Sequence, residues 1–258
     1  MGTVHIEVRD GVAVLTLDNP PLNVLSTDMG RQIKQAVETI GDNPAVYAVV
    51  VTGAGDRAFM AGADIKEFPQ YIEEGNAEEK ALAFDDAMNQ LQRLGKPTIA
   101  ALNGLTLGGG CELALACDFR IAEEQIVIGL PEIKLGVFPG AGGTQRLSRL
   151  IGPSRAKELI FSGEPVSAAE AYRIGLVNRV VPKGSALSSA LEFAQVFTQR
   201  SQVALRLAKQ AMDQGLEMPL EDGIRLEAKL FGEVFRSADA KEGIQAFIEK
   251  RQPKFTNR

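Results

Sequence analysis

Pro97-Thr98-Ile99-Ala100-Ala101-Leu102 is an apolar run, and a few residues later comes Gly108-Gly109-Gly110-Cys111-Glu112-Leu113-Ala114-Leu115-Ala116-Cys117. The first stretch predicts a buried strand, and the three glycines predict a tight turn that lets a ligand approach the backbone closely. Leu113 to Cys117 has no polar position, so the segment can continue only as a buried helix. The first N–H groups of such a helix lack intrahelical partners, and the dipole there favours negative charge. An oxyanion fits this turn.

Working outward, strands alternate with helices. Ile6 to Arg9 and Val12 to Leu17 alternate around Asp10-Gly11 as a β-hairpin, and Ser26 or Thr27 can cap a helix running to about Ile40. Ala48 to Thr52 is a near-continuous apolar run, as in a strand covered on both faces. Ala77 to Leu94 has helical spacing at Leu82, Met88 and Leu91. The alternation predicts an α/β layered fold. The second half predicts helices over Gly142–Leu150, Ser154–Phe161, Ala168–Ile174, Ala186–Arg200, Val203–Gly215, Leu220–Phe235 and Ala240–Lys250, with one strand at Val177–Val181. No strand candidate follows residue 198, which divides the chain into an α/β core (1–197) and a C-terminal helical region (198–258). So long a helical tail must bury its apolar stripe on the core or on a neighbouring subunit, the latter making it an oligomerisation region.

The 258 residues are 45% hydrophobic and 24% charged, with a formal charge of −5, an ordinary globular composition that argues against a nucleic-acid face. The lone histidine, His5, is expected on a strand surface. Cys111 and Cys117, if on one helix, would stand roughly 9 Å apart along its axis, too far for a disulfide. Reduced thiols, a start without a signal-peptide h-region and the lack of a long apolar run predict a cytoplasmic protein with no membrane partner.

Gly53-Ala54-Gly55-Asp56-Arg57-Ala58 matches a dinucleotide-binding spacing, but no helical period follows the glycines, so nucleotide binding is not expected there. Ala61-Gly62-Ala63-Asp64 precedes a short helix, and its backbone N–H groups could meet a ligand oxygen. Glu112 on an all-apolar helix is expected to be desolvated, with a raised pKa. Glu132 reads as an acid at a helix start, with Pro131 in the first position. A second glycine-rich turn, Pro139-Gly140-Ala141-Gly142-Gly143, follows closely. Two oxyanion donors and two carboxyls suit reactions that pass through an enolate. A serine hydrolase would need a histidine base other than His5, and no metal-ligand spacing is visible.

At these residues the chain closely resembles the enoyl-CoA hydratase/isomerase (crotonase) family. Five motifs carry the likeness in order: Ala61 to Lys66, Lys96 to Gly104, Leu107 to Leu113, Pro131 to Gly136 and Pro139 to Arg146. The resemblance implies ββα units spiralling into two nearly perpendicular sheets, then a helical region that builds homotrimers pairing into hexamers. It implies an acyl-CoA thioester polarised by the N–H groups of Ala63 and Gly109, with Glu112 and Glu132 adding water syn across a trans-2-enoyl-CoA to give a 3-hydroxyacyl-CoA. Gly140 would help place substrate and water. Leu22, Asn23, Ala61, Ile65 and Lys66 would touch CoA, with Lys250 or Lys254 reaching over from a neighbour. No metal and no cofactor is implied, CoA arriving with the substrate. Isomerisation or decarboxylation on the same fold often uses only one carboxylate, and an RNA-binding relative would suit a basic chain better.

Overall fold

A computed structural model describes residues 2–257. Strands β1 (Thr3–Arg9) and β2 (Val12–Asp18) form an antiparallel hairpin in which Arg9 faces Val12. Its two-residue turn has positive φ at both Asp10 (47°) and Gly11 (80°), the pair of angles that a type I′ turn needs. Helix α1 (Thr27–Asp42) starts where the Ser26 hydroxyl accepts the Met29 N–H at 3.1 Å, and it buries Met29, Ile33, Val37 and Ile40 on the sheet.

The chain then repeats one figure three times: a strand in a large sheet, a strand in a small sheet, then helical structure. The first round is β3 (Ala48–Gly53), β4 (Ala58–Ala61), a 3-10 turn (Ile65–Glu67), α2 (Phe68–Glu74) and α3 (Ala77–Arg93). The second is β5 (Thr98–Leu102), β6 (Leu105–Leu107) and α4 (Gly109–Ala116). The third is β7 (Phe119–Glu123), β8 (Val127–Gly129) and a 3-10 turn (Glu132–Leu135). Helices α5 (Gly143–Ile151) and α6 (Pro153–Ser162) follow, then β9 (Val166–Ser167), α7 (Ala168–Arg173), β10 (Arg179–Val181) and α8 (Ala186–Thr198). The C-terminal helices are α9 (Gln202–Gly215), α10 (Leu220–Val234) and α11 (Ala238–Ile248).

The large sheet runs β1-β2-β3-β5-β7-β10 and is parallel beyond the hairpin, whereas the small sheet runs β4-β6-β8-β9. Every residue of β3 is buried because each face has its own core. Val49 and Val51 pack toward α1, α3 and α4, while Ala48 and Val50 face α8. Ala186, Ala190 and Ala194 recur every four residues on α8, a strip small enough to lie close on the sheet. Fully burying a leucine such as Leu113 on the other side is worth about 1.5–3 kcal/mol.

Several strands escape the sequence pattern for physical reasons. β6, β8 and β9 span only two or three residues, too short for a period to register. β7 looks polar because of Arg120, yet that side chain is buried and donates to the carbonyls of Leu176, Ala114 and Cys117. Pro131 is the cap of the 3-10 turn that begins at Glu132, not its first residue. At Gly53-Ala54-Gly55 the chain turns from β3 into β4 with no helix, and the Asn103 carboxamide brackets this turn by donating to the Gly53 and Gly55 carbonyls, each at 2.8 Å. His5 is an exposed residue of β1, and both cysteines are free and buried.

Beyond Thr198 the described residues hold three helices and no strand. Helix α9 is tied to the core where the Lys209 ammonium meets Asp118 Oδ2 at 2.7 Å, an oxygen that also accepts from the Thr98 N–H. The chain end returns to α11, with Asp239 accepting the N–H groups of Thr256 and Asn257.

Candidate active site

The triple-glycine turn stands at the centre of the site. Gly108 adopts φ 53° and ψ −123°, a conformation that a side chain forbids. A Cβ there would also come within 2.9 Å of Glu132 Oε1 and 3.3 Å of the Gly62 Cα. Gly110 lies so close to β4 that a Cβ would stand 1.9 Å from the Met60 carbonyl oxygen. Both glycines are therefore required by close approach, and through them the Gly62, Gly109 and Glu132 segments converge.

Ala63 is set by an isolated parallel bridge to Leu25, in which the Leu25 N–H donates to the Gly62 carbonyl at 2.9 Å and the Asp64 N–H donates to the Leu25 carbonyl at 2.8 Å. A parallel bridge of this kind turns the N–H of the middle residue away from its partner strand. The Ala63 nitrogen lies 3.8 Å from where a Gly109 Cβ would stand. Gly109 is the first residue of α4, and neither its N–H nor that of Ala63 donates to an acceptor among the described residues. Two free donors thus sit side by side at a helix N-terminus.

Glu112 is 3% exposed, on a helix whose eight residues are all buried. Its Oε1 accepts the N–H of Ala141 at 2.7 Å and that of Gly143 at 2.9 Å, both from the second glycine-rich turn. Burial pushes its carboxyl above the usual range, while the two peptide N–H groups and the Arg146 charge pull the other way. Glu132 opens the 3-10 turn, and its Oε2 is buried with no hydrogen-bond partner. Desolvation, with a further push from the Glu112 charge, raises its pKa to about 7. Of the two, Glu112 has fixed donors that support a negative charge and Glu132 has an oxygen free to carry a proton.

Other expected residues lie farther out. Gly140 is exposed, and a Cβ on it would stand 3.7 Å from the Ala81 side chain. Its neighbours Ala141 and Gly143, not Gly140, supply the donors to Glu112, and the glycine-rich turn ahead of a helix was the signal for them. The Ala61 N–H donates to the Leu22 carbonyl at 3.0 Å. Asn23 is buried, and both donors of its amide go to the Ala54 and Ala58 carbonyls, so that side chain brackets the loop. Ile65 and Lys66 are exposed beside Ala63, and Lys250 and Lys254 are exposed near the chain end. Sequence reasoning missed Arg146, Asp85, Asn89 and Gln92, which form a half-buried polar cluster behind Glu112. Among the described residues no group of three or more His, Cys, Asp or Glu side chains comes together as metal ligands.

The enoyl-CoA hydratase/isomerase family model matches residues 7–258. The chain belongs to that family. It is 42% identical over 256 residues to a crotonyl-CoA hydratase of Syntrophomonas wolfei, covering 99% of this chain and 98% of that one. It is 41% identical over 253 residues to a short-chain-enoyl-CoA hydratase of Clostridium acetobutylicum, covering 98% and 97%. The crystal structure of an enoyl-CoA hydratase from Bacillus anthracis superposes with a TM-score of 0.94 at 40% identity, covering 99% of this chain and 100% of that one. The fold is accordingly the crotonase fold, with two mixed sheets and a C-terminal helical region.

Proposed function

We propose that this chain is an enoyl-CoA hydratase that adds water to a trans-2-enoyl-CoA by means of Glu112 and Glu132. The observation that carries the reading is the convergence of the buried Glu112 and the half-buried Glu132 with two unpartnered N–H groups, at Ala63 and Gly109, on one glycine turn. The thioester oxygen accepts from those two donors, which hold the charge that develops as the enolate forms. Glu112 takes a proton from water as its oxygen bonds to C3, and Glu132 delivers a proton to C2. The cycle closes when solvent returns the proton from Glu112 to Glu132. Because the two carboxyls influence each other, their ionisations belong to the pair.

Ala61, Ile65 and Lys66 flank Ala63 in the chain and Leu22 accepts the Ala61 N–H, and we assign all four to CoA, with Lys66 for a phosphate. Asn23 would contribute through its backbone, Gly140 would flank the acyl group, and no cofactor beyond the CoA of the substrate is needed. We assign α9 to α11 to a homotrimer or hexamer interface, a reading supported by Leu216 and Phe247, which are 83% and 85% exposed. A cytoplasmic place in fatty-acid or related acyl-CoA degradation fits the two free thiols. Loss of enoyl-thioester absorbance with crotonyl-CoA and longer or branched homologues tests the reading. Turnover of at least one is expected, and a shift of the double bond without hydration would overturn it.

A further inference from the structure

The loop that grips Glu112 is itself gripped from behind. Ala141 donates its N–H to Glu112, and its carbonyl accepts from Arg146 Nη1 at 3.0 Å. The same guanidinium donates through Nε to Gln92 Oε1 at 2.8 Å, through Nη1 to Asp85 Oδ1 at 3.1 Å and through Nη2 to Asn89 Oδ1 at 2.7 Å. Asn89 Nδ2 in turn donates to Asp85 Oδ2 at 2.8 Å. Asp85, Asn89 and Gln92 occupy one face of α3 by their i, i+4, i+7 spacing. Arg146 lies in α5 with a side chain only 11% exposed. The seat is shaped for it, since a Cβ at Gly142 would stand 1.8 Å from its Nη1.

A guanidinium with four protein acceptors and little exposure of its own is fixed in position. We infer that Arg146 is a positioning residue for hydration: it locks the Ala141–Gly143 turn against α3, and so fixes the oxygen of Glu112 that must face the water. The inference rests on the two-glutamate reading above. Its charge has a second effect. The charged and titratable groups around Glu112 are Arg146 from α5, Asp85 from α3, Glu132 from the turn after β8 and Cys111 beside it on α4. Arg146 favours the ionised Glu112 and Asp85 disfavours it. Removing either should move the acid limb of the pH profile, in opposite directions.

The experiment compares kcat, KM and the pH dependence of kcat/KM for crotonyl-CoA hydration in wild type, Arg146→Met, Arg146→Lys and Asp85→Asn, with butyryl-CoA affinity measured alongside. Arg146→Met is expected to lower kcat roughly tenfold to a hundredfold, as displaced catalytic groups do, with butyryl-CoA affinity unchanged. Its acid limb moves to higher pH, because a base that has lost a neighbouring cation ionises later. Asp85→Asn moves the limb to lower pH. Arg146→Lys keeps the limb near its wild-type place yet loses kcat, since an ammonium cannot span the four acceptors. Unchanged kcat and limb in Arg146→Met, a loss confined to butyryl-CoA affinity, or limb shifts of the same sign in Arg146→Met and Asp85→Asn would overturn the inference. If Arg146→Met fails to fold, Arg146→Lys and Asp85→Asn carry the same test. Full hydration by Glu112→Gln would instead remove the two-glutamate reading beneath it.

Discussion

Glu112 and Glu132 serve one site from two differently built surroundings. Glu112 stands in the first turn of a wholly buried helix, and its Oε1 is held by two peptide N–H groups. Glu132 opens a four-residue 3-10 turn with no buried residue, and its Oε2 has no partner. Desolvation raises both carboxyls, but at Glu112 fixed donors offset part of that push, whereas the unpartnered oxygen of Glu132 has no such donor. In the proposed mechanism the gripped carboxyl receives the proton of water and the ungripped one gives a proton to C2, roles that suit these surroundings.

The largest expected effects test that division. Glu112→Gln and Glu132→Gln should each lower kcat for hydration by about 10²–10⁴-fold, the span typical of a lost acid–base group, with butyryl-CoA binding kept. Wild-type turnover in either variant would break the comparison. Gly110→Ala tests the rigidity of the Glu112 side, since its methyl would meet the Met60 carbonyl oxygen. Thermal or denaturant unfolding should show a loss of about 3 kcal/mol, and an unchanged midpoint would contradict the packing described.

The Glu132 side should respond to pH. Its folded-state pKa of about 7 lies above the ordinary value of 4.5, so its contribution to stability is fully present below 4.5 and is lost as pH rises through 7. Glu132→Gln removes the burden of ionising a partly desolvated carboxyl and should stabilise the protein at pH 8 by up to about 3 kcal/mol, with the advantage gone near pH 4. A variant less stable than wild type at pH 8 would show that a partner holds the charged form. The smallest effect belongs to Leu135→Ala in the same turn, where the side chain is 60% exposed. A change within about 0.5 kcal/mol is expected there, against the large loss at Gly110.

What the sequence discloses follows the range of the interactions. The Asp10-Gly11 turn, the Ser26 cap and the apolar length of α4 are local signals, and each appears in the structure where its residues predict it. Glu112 was legible as a desolvated acid because no polar position accompanies it from Leu113 to Cys117. Glu132 was less so, since an acid after proline reads as an ordinary helix start and only the fold brings it to Gly108. Arg146 was illegible for a related reason. Asp85, Asn89 and Gln92 look like a solvated helix face until the loop after Pro139 folds back over them. The part Asn23 plays in holding its loop was illegible too, because its amide donates to the carbonyls of Ala54 and Ala58, more than thirty residues away.

The central claim is that one water is added by two carboxyls placed on the same side of the substrate, beside the Gly108 turn. Hydration of trans-crotonyl-CoA in deuterium oxide, with the relative configuration at C2 and C3 of the product read by NMR, tests it most directly. Deuterium at C2 and the hydroxyl at C3 should stand syn, since Glu132 exchanges its proton with solvent and delivers it from the face on which Glu112 holds the water. An anti product, or one without solvent deuterium at C2, would contradict the account.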